Sequence, residues 1–193
     1  LKKYDQAVAE YGKALEKDSD QVDIWREIAD AYELKNDYAQ AITAYQKYYD
    51  ALSQDKKTAE SLFQLGRLYY GQGTSSDTLS VRPADRATAL QAADSVFALV
   101  ARQAPDSYLG DMWRARTNSA MDPETTEGLA KPYYEKVAEM LLAKNEPRYN
   151  SALIECYSYL GYYYLLKSDY PVSKEYWNKI LAIDPTNATA KKA

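Results

Sequence analysis

Not one of the 193 residues is histidine. The commonest general base, the commonest transition-metal ligand and every histidine-containing triad are therefore missing, and catalysis is the least expected function. One cysteine, Cys156, excludes an intramolecular disulfide and any cysteine-based zinc site of the usual spacing. The EF-hand spacing of carboxylates is absent as well, so neither a metal nor another cofactor is expected. No apolar run approaches the roughly 18 residues a membrane span needs, and the first residues lack the charged, apolar and small-residue order of a signal peptide. As given, the segment reads as soluble, and its compartment stays open: cytoplasmic or, where a signal peptide precedes it, periplasmic. Lys and Arg number 24 against 28 Asp and Glu, which is not the basic excess that drives phosphate binding, so nucleic acid is not an expected partner.

Phenylalanine and tryptophan are scarce, at 2 and 3 residues, while tyrosine reaches 20. Tyrosine packs as an aromatic and keeps a hydroxyl for water or a ligand, so such a chain can build cores and wet binding surfaces from one residue type. Position decides which job each tyrosine does.

Sliding the sequence by 34 positions superposes Tyr4 on Tyr38, Ala7 on Ala41 and Tyr11 on Tyr45, a period found among helical repeats. From Val22 to Ser53 the apolar spacing is helical in two stretches, Trp25, Ile28, Ala29 and Tyr32, then Ala41, Tyr45 and Tyr48. Lys35-Asn36-Asp37 supplies the turn between them, with Asn36 or Asp37 as N-cap. Small residues at Ala29 and Ala41 let the two helices approach while aromatics fill the flanks, and Trp25→Ala is expected to cost about 3 to 5 kcal/mol as a core truncation.

The pattern W-x-x-I-A-x-x-Y, then A-x-x-x-Y, then a break resembles the tetratricopeptide repeat (TPR), in a bacterial-type form. It recurs as Leu62, Leu65, Gly66 and Tyr69, then Ala93, Phe97, Val100 and Pro105, and again as Tyr157, Leu160, Gly161, Tyr164, Trp177, Ile180 and Pro185. Ser173 stands where the family usually has alanine. The resemblance implies an all-α fold, a right-handed superhelical array of antiparallel helix pairs, running over 1–193 as one array.

Its expected parts are a partial repeat at 1–21 with only a second helix, repeats at 22–55, 56–107, 108–147 and 148–187, and the start of a further helix at 188–193. A second helix without its first suggests a piece of a longer protein, whose uncovered Ala7, Val8 or Leu15 would favour self-association. Within 56–107, Tyr69 and Ala93 lie 24 apart where Tyr32 and Ala41 lie 9 apart, which marks an insertion at about 71–88. Gly71 to Asp77 reads there as a flexible polar loop, and Pro83 as the start of a helix through Gln103, about 30 Å long at ~1.5 Å per residue. The repeat at 108–147 is the least regular, since Arg114 and Arg116 fall on expected core positions and leave the register of its first helix open.

In the TPR family the first helices line the concave side, and residues between their core positions point into it. The resemblance therefore implies a groove formed by Asp23, Arg26, Asp30 and Glu33; by Glu60, Phe63, Arg67 and Tyr70; and by Glu155, Ser158, Tyr162 and Leu165. The TPR subclass that grips acidic C-terminal peptides uses Lys and Asn where Arg26 and Asp30 stand, which argues against such a clamp here. Trp113-Arg114-Ala115-Arg116 offers guanidinium groups beside an aromatic, suited either to a ligand or to bracing against a carboxylate. Arg116→Ala separates the two roles: lost binding marks a ligand site, and a lowered melting temperature marks a brace.

The expected function is a protein-protein interaction scaffold that holds a peptide or protein segment in the groove. The alternative is a glycan or small-molecule binding module using the surface tyrosines Tyr162 and Tyr70 with Trp113.

Overall fold

The structure, a computed structural model, describes residues 2–17, 21–76 and 82–193. Among the described residues all regular structure is helical, and no helix is long and apolar enough to cross a membrane. The chain divides into two compact units, Leu1–Ala104 and Pro105–Ala193.

The N-terminal unit holds α1 (Lys2–Lys17), α2 (Val22–Leu34), α3 (Tyr38–Ala51), α4 (Ala59–Thr74) and α5 (Pro83–Gln103), each packed on the next. The α2–α3 turn follows from its three residues. Asn36 takes the left-handed conformation at φ 59°, which asparagine tolerates, and the Asp37 side chain accepts from the Gln40 N–H at 3.3 Å as N-cap. Ile28, Ala29, Ala41, Ile42, Ala44, Tyr45, Leu65 and Leu68 form the buried core here. Trp25 is only half-buried at its edge, with the Lys47 ammonium 4.1 Å from the ring centroid. Its truncation should therefore cost about 2 kcal/mol, less than a full core substitution.

The inserted residues lengthen both helices of the α4–α5 pair. Gly71 to Thr74 do not form the flexible loop expected of them; they are the last turn of α4, because neighbours crowd both glycines. A Cβ on Gly71 would lie 2.3 Å from the Tyr38 ring and one on Gly73 2.5 Å from the Leu90 side chain, so only glycine admits these contacts. Pro83 opens α5 in its first turn, where its missing N–H costs nothing. Residues 77–81, where that expected loop ended, lie outside the described residues.

The C-terminal unit holds α6 (Leu109–Met121), α7 (Lys131–Lys144), α8 (Asn150–Leu166) and α9 (Tyr170–Ile183), again packed in succession. The register of α6, open from sequence, buries Met112, Ala115, Thr117 and Asn118 and leaves Arg114 and Arg116 half-buried. Pro132 falls in the first turn of α7, as it must. The α8–α9 turn repeats the α2–α3 turn, with Ser168 at φ 61° in place of Asn36 and Asp169 accepting from the Val172 N–H at 3.3 Å. After α9, Asn187 caps a single turn that ends the chain and buries Ala190.

The two units share one packing device. Gly66 in α4 lies under the Phe97 ring and Gly161 in α8 under the Trp177 indole, where an added Cβ would meet ring atoms at 2.6 and 2.7 Å. The L-G pattern of the sequence is thus a close helix approach closed by an aromatic from the partner helix.

Candidate functional site

The N-terminal unit contains a cavity of about 460 Å³ between α2 and α4, walled on one side by α3. Five residues expected in the groove line it: Arg26, Asp30 and Glu33 from α2, Glu60 and Arg67 from α4. The 34-residue period explains their meeting, since equivalent positions of successive first helices face each other. Glu33 and Arg67, 34 apart, form an ion pair at 3.3 Å. By the same offset Asp30 falls opposite Gln64, and Arg26 opposite Glu60.

The charges are unevenly satisfied. Arg67 also donates to Gln64 Oε1 at 3.2 Å. Arg26 sits 3.6 Å from Glu27 and 5.8 Å from the Tyr48 ring centroid. Asp30 receives no hydrogen bond or ion pair among the described residues. Burial raises its carboxyl above the usual carboxylate range, Glu27 adds to the rise, and Arg26 and Arg67 oppose it. Glu60 occupies the first turn of α4, where the helix dipole favours a negative charge.

Tyr48, Gln64 and Lys56 also line the cavity but were not among the expected groove residues. Gln64 was within reach of the 34-residue offset from Asp30. Tyr48 lies on a second helix, where the spacing marks it as core, and Lys56 lies in the short turn Gln54–Lys56, where no helical spacing applies. Tyr45 closes the wall with its hydroxyl donating to the Ser61 carbonyl at 3.1 Å and its ring edge-on to Tyr48 at 5.3 Å.

The remaining expected residues are elsewhere. Asp23 is exposed in the first turn of α2. Phe63 packs edge-on against Phe97 at 5.8 Å, inside the α4–α5 pair, and Tyr70 is half-buried further along α4.

In the C-terminal unit, Arg116 grips Glu155 with two hydrogen bonds at 2.8 and 2.7 Å, and its guanidinium lies 5.1 Å from the Trp113 ring centroid. The Tyr134 hydroxyl approaches the same carboxylate at 3.4 Å. Arg114 lies 4.3 Å from the centroid of Tyr133 and donates to its hydroxyl at 2.8 Å. Both arginines of the Trp113-to-Arg116 run are thus held by their own unit. Ser158 is half-buried, while Tyr162 and Leu165 are exposed and border a shallow depression of about 380 Å³ with Trp177 and the last residues of the chain. Cys156, fully buried beside this network, has its thiol pushed up to about 12, chiefly by burial, so the reactive thiolate is suppressed. Among the described residues no group of three or more His, Cys, Asp or Glu side chains is placed to hold a metal ion.

Residues 1–56 match the family described as tetratricopeptide repeat. A solved structure of the C-terminal part of a TPR repeat-containing protein from Cytophaga hutchinsonii is 32% identical at a TM-score of 0.77, over 96% of this chain and 64% of that one. This chain thus spans somewhat under two thirds of that structure. YrrB, described as a TPR protein with an unusual peptide-binding site, matches at a TM-score of 0.62 and 16% identity, over 99% of this chain and 83% of that one, a likeness of fold alone. No curated protein matches the sequence. Residues 1–56 thus carry the tetratricopeptide repeat, and the fold of the chain is all-α and built of successively packed helices like those of TPR proteins.

Proposed function

We propose that this chain is a protein-protein interaction scaffold, without catalysis of its own, that holds a peptide or extended protein segment in the α2–α4 groove of its N-terminal unit. The observation that carries this reading is the cavity of about 460 Å³ lined by charges of both signs, one of which, Asp30, has no partner among the described residues. Asp30 is exposed on the groove wall, so its carboxylate is open to a donor from a bound segment. Peptide binding by YrrB lends support from the same fold.

Arg26 and Glu60 sit at one end of the groove on opposite helices, and both are exposed, so Arg26→Glu with Glu60→Arg changes the surface without disturbing the core. Peptides selected on the purified chain from a random display library should bind it saturably and lose at least tenfold in affinity to this double variant. Selected peptides that bind the variant equally well would overturn the groove reading.

A second reading, a glycan or small-molecule module, draws on the exposure of Tyr162 beside the shallow depression. Its other members are divided between units, with Tyr70 in the N-terminal one and Trp113 and Tyr162 in the C-terminal one. Saturable binding of a soluble oligosaccharide, lost in Tyr162→Ala, would favour it over the groove. Self-association through the half-buried Ala7 and Val8 of α1 belongs to the proposal as well, whereas Leu15, expected to be uncovered, packs on the core of its own unit; a strict monomer in light scattering at high concentration would remove it.

A further inference from the structure

The chemistry of the segment that the groove accepts follows from which polar atoms are already used; this inference rests on the groove reading above. Glu33 is held by Arg67, and Arg67 also takes Gln64. A guanidinium only donates, so the Gln64 atom facing it is the carbonyl oxygen, and the amide nitrogen keeps two N–H donors with no partner among the described residues. On the facing helix, Asp30 presents a carboxylate that only accepts and to which nothing donates among the described residues. The cations of the groove are better provided for: Arg67 has Glu33, and Arg26 has Glu27 and the face of Tyr48. Lys56 stands at the rim in the short Gln54–Lys56 turn, off the two helices that face each other across the groove.

The floor of the groove thus offers a bare acceptor on α2 and a bare pair of donors on α4, at equivalent positions of two successive repeats. A main-chain carbonyl satisfies the donors, and a cationic side chain satisfies the acceptor. An acidic side chain would instead meet Asp30 in a groove that already holds the carboxylates of Glu33 and Glu60, where like charges repel. We propose that the groove selects an extended segment carrying a lysine or arginine that docks on Asp30, while a neighbouring main-chain carbonyl accepts from the Gln64 amide.

The test uses the purified chain and a random peptide display library, followed by fluorescence titration of the best selected peptide. Enrichment of lysine or arginine at one peptide position is expected, and replacing that residue by norleucine should weaken binding at least tenfold. Asp30→Asn, which keeps the shape of an exposed side chain, should weaken the original peptide equally and leave melting unchanged. In Asp30→Asn the norleucine peptide should lose no further affinity. Asp30→Lys should turn selection toward acidic residues. If the selected peptides carry no common cation, or bind Asp30→Asn unchanged while still losing affinity to Arg26→Glu with Glu60→Arg, cation docking is overturned and the groove reading stands. If no peptide is selected, or selected peptides ignore both variants, the two fall together.

Discussion

The N-terminal and C-terminal units use the same kind of first-helix position for opposite ends. In the N-terminal unit Arg67 and Glu33 touch through one contact at 3.3 Å, and Asp30 beside them is left bare. In the C-terminal unit Arg116 and Glu155 close on each other with two bonds at 2.8 and 2.7 Å, and Trp113, Tyr133, Tyr134 and Arg114 complete the network. Spacing contributes to the difference. Glu33 and Arg67 are separated by the regular 34 residues, whereas Arg116 and Glu155 are 39 apart, across an α6–α7 connection that needs its own support. A charge pair that satisfies itself is structure, and a position left unsatisfied is available to a partner.

The largest stability effect is expected where aromatics close the glycine-backed helix pairs. Phe97→Ala should destabilise the N-terminal unit by about 4 kcal/mol, since the ring is fully buried against Gly66. Calorimetry of the variant should show one transition moved down, with the transition of the C-terminal unit in place.

Next is the α6–α7 connection. Asp122 is buried and accepts from the backbone N–H groups of Thr126, Glu127 and Gly128 at 3.0, 3.1 and 2.7 Å. Burial opposes ionisation there, but these donors win and hold the carboxyl below the usual range. A lowered value in the folded chain stabilises above the unfolded value of about 4 and loses that contribution as pH falls through the folded one. Asp122→Ala should cost about 3 kcal/mol at pH 7, and acid unfolding should show the difference from wild type shrinking below pH ~4.

Arg116 and Arg67 give the sharpest contrast. Arg116→Ala leaves Glu155 half-buried and unpaired, for a loss of about 2 kcal/mol, while Arg67→Ala at the looser pair should cost under about 1 kcal/mol. Equal losses, measured by urea titration, would erase the distinction between the units. The smallest effect concerns the twin turns. Ser168 holds the left-handed conformation that Asn36 adopts more readily, so Ser168→Gly should stabilise by about 0.5 to 1 kcal/mol, whereas Asn36→Gly should change little.

Helix type, the Asp37 cap and the Pro83 start of α5 were legible because they depend on local spacing and on cap chemistry. The helical end of α4 was not, because Gly71 and Gly73 mark a loop by composition and only the rings and side chains against them reveal a close approach. The same limit hid Tyr48, whose spacing marks it as core, and the register of α6, where two arginines occupy positions that apolar residues hold elsewhere. Their carboxylate and tyrosine partners come from α7 and α8, beyond the reach of any local pattern.

The central claim is that the open groove of the N-terminal unit binds and its braced counterpart in the C-terminal unit does not. Amide chemical-shift mapping of a display-selected peptide on the isotope-labelled chain tests this directly. The account predicts shifts concentrated on α2, α4 and the Gln54–Lys56 turn, around Asp30 and Gln64. Shifts concentrated instead around Trp113, Arg116, Glu155 or Tyr162 would contradict it.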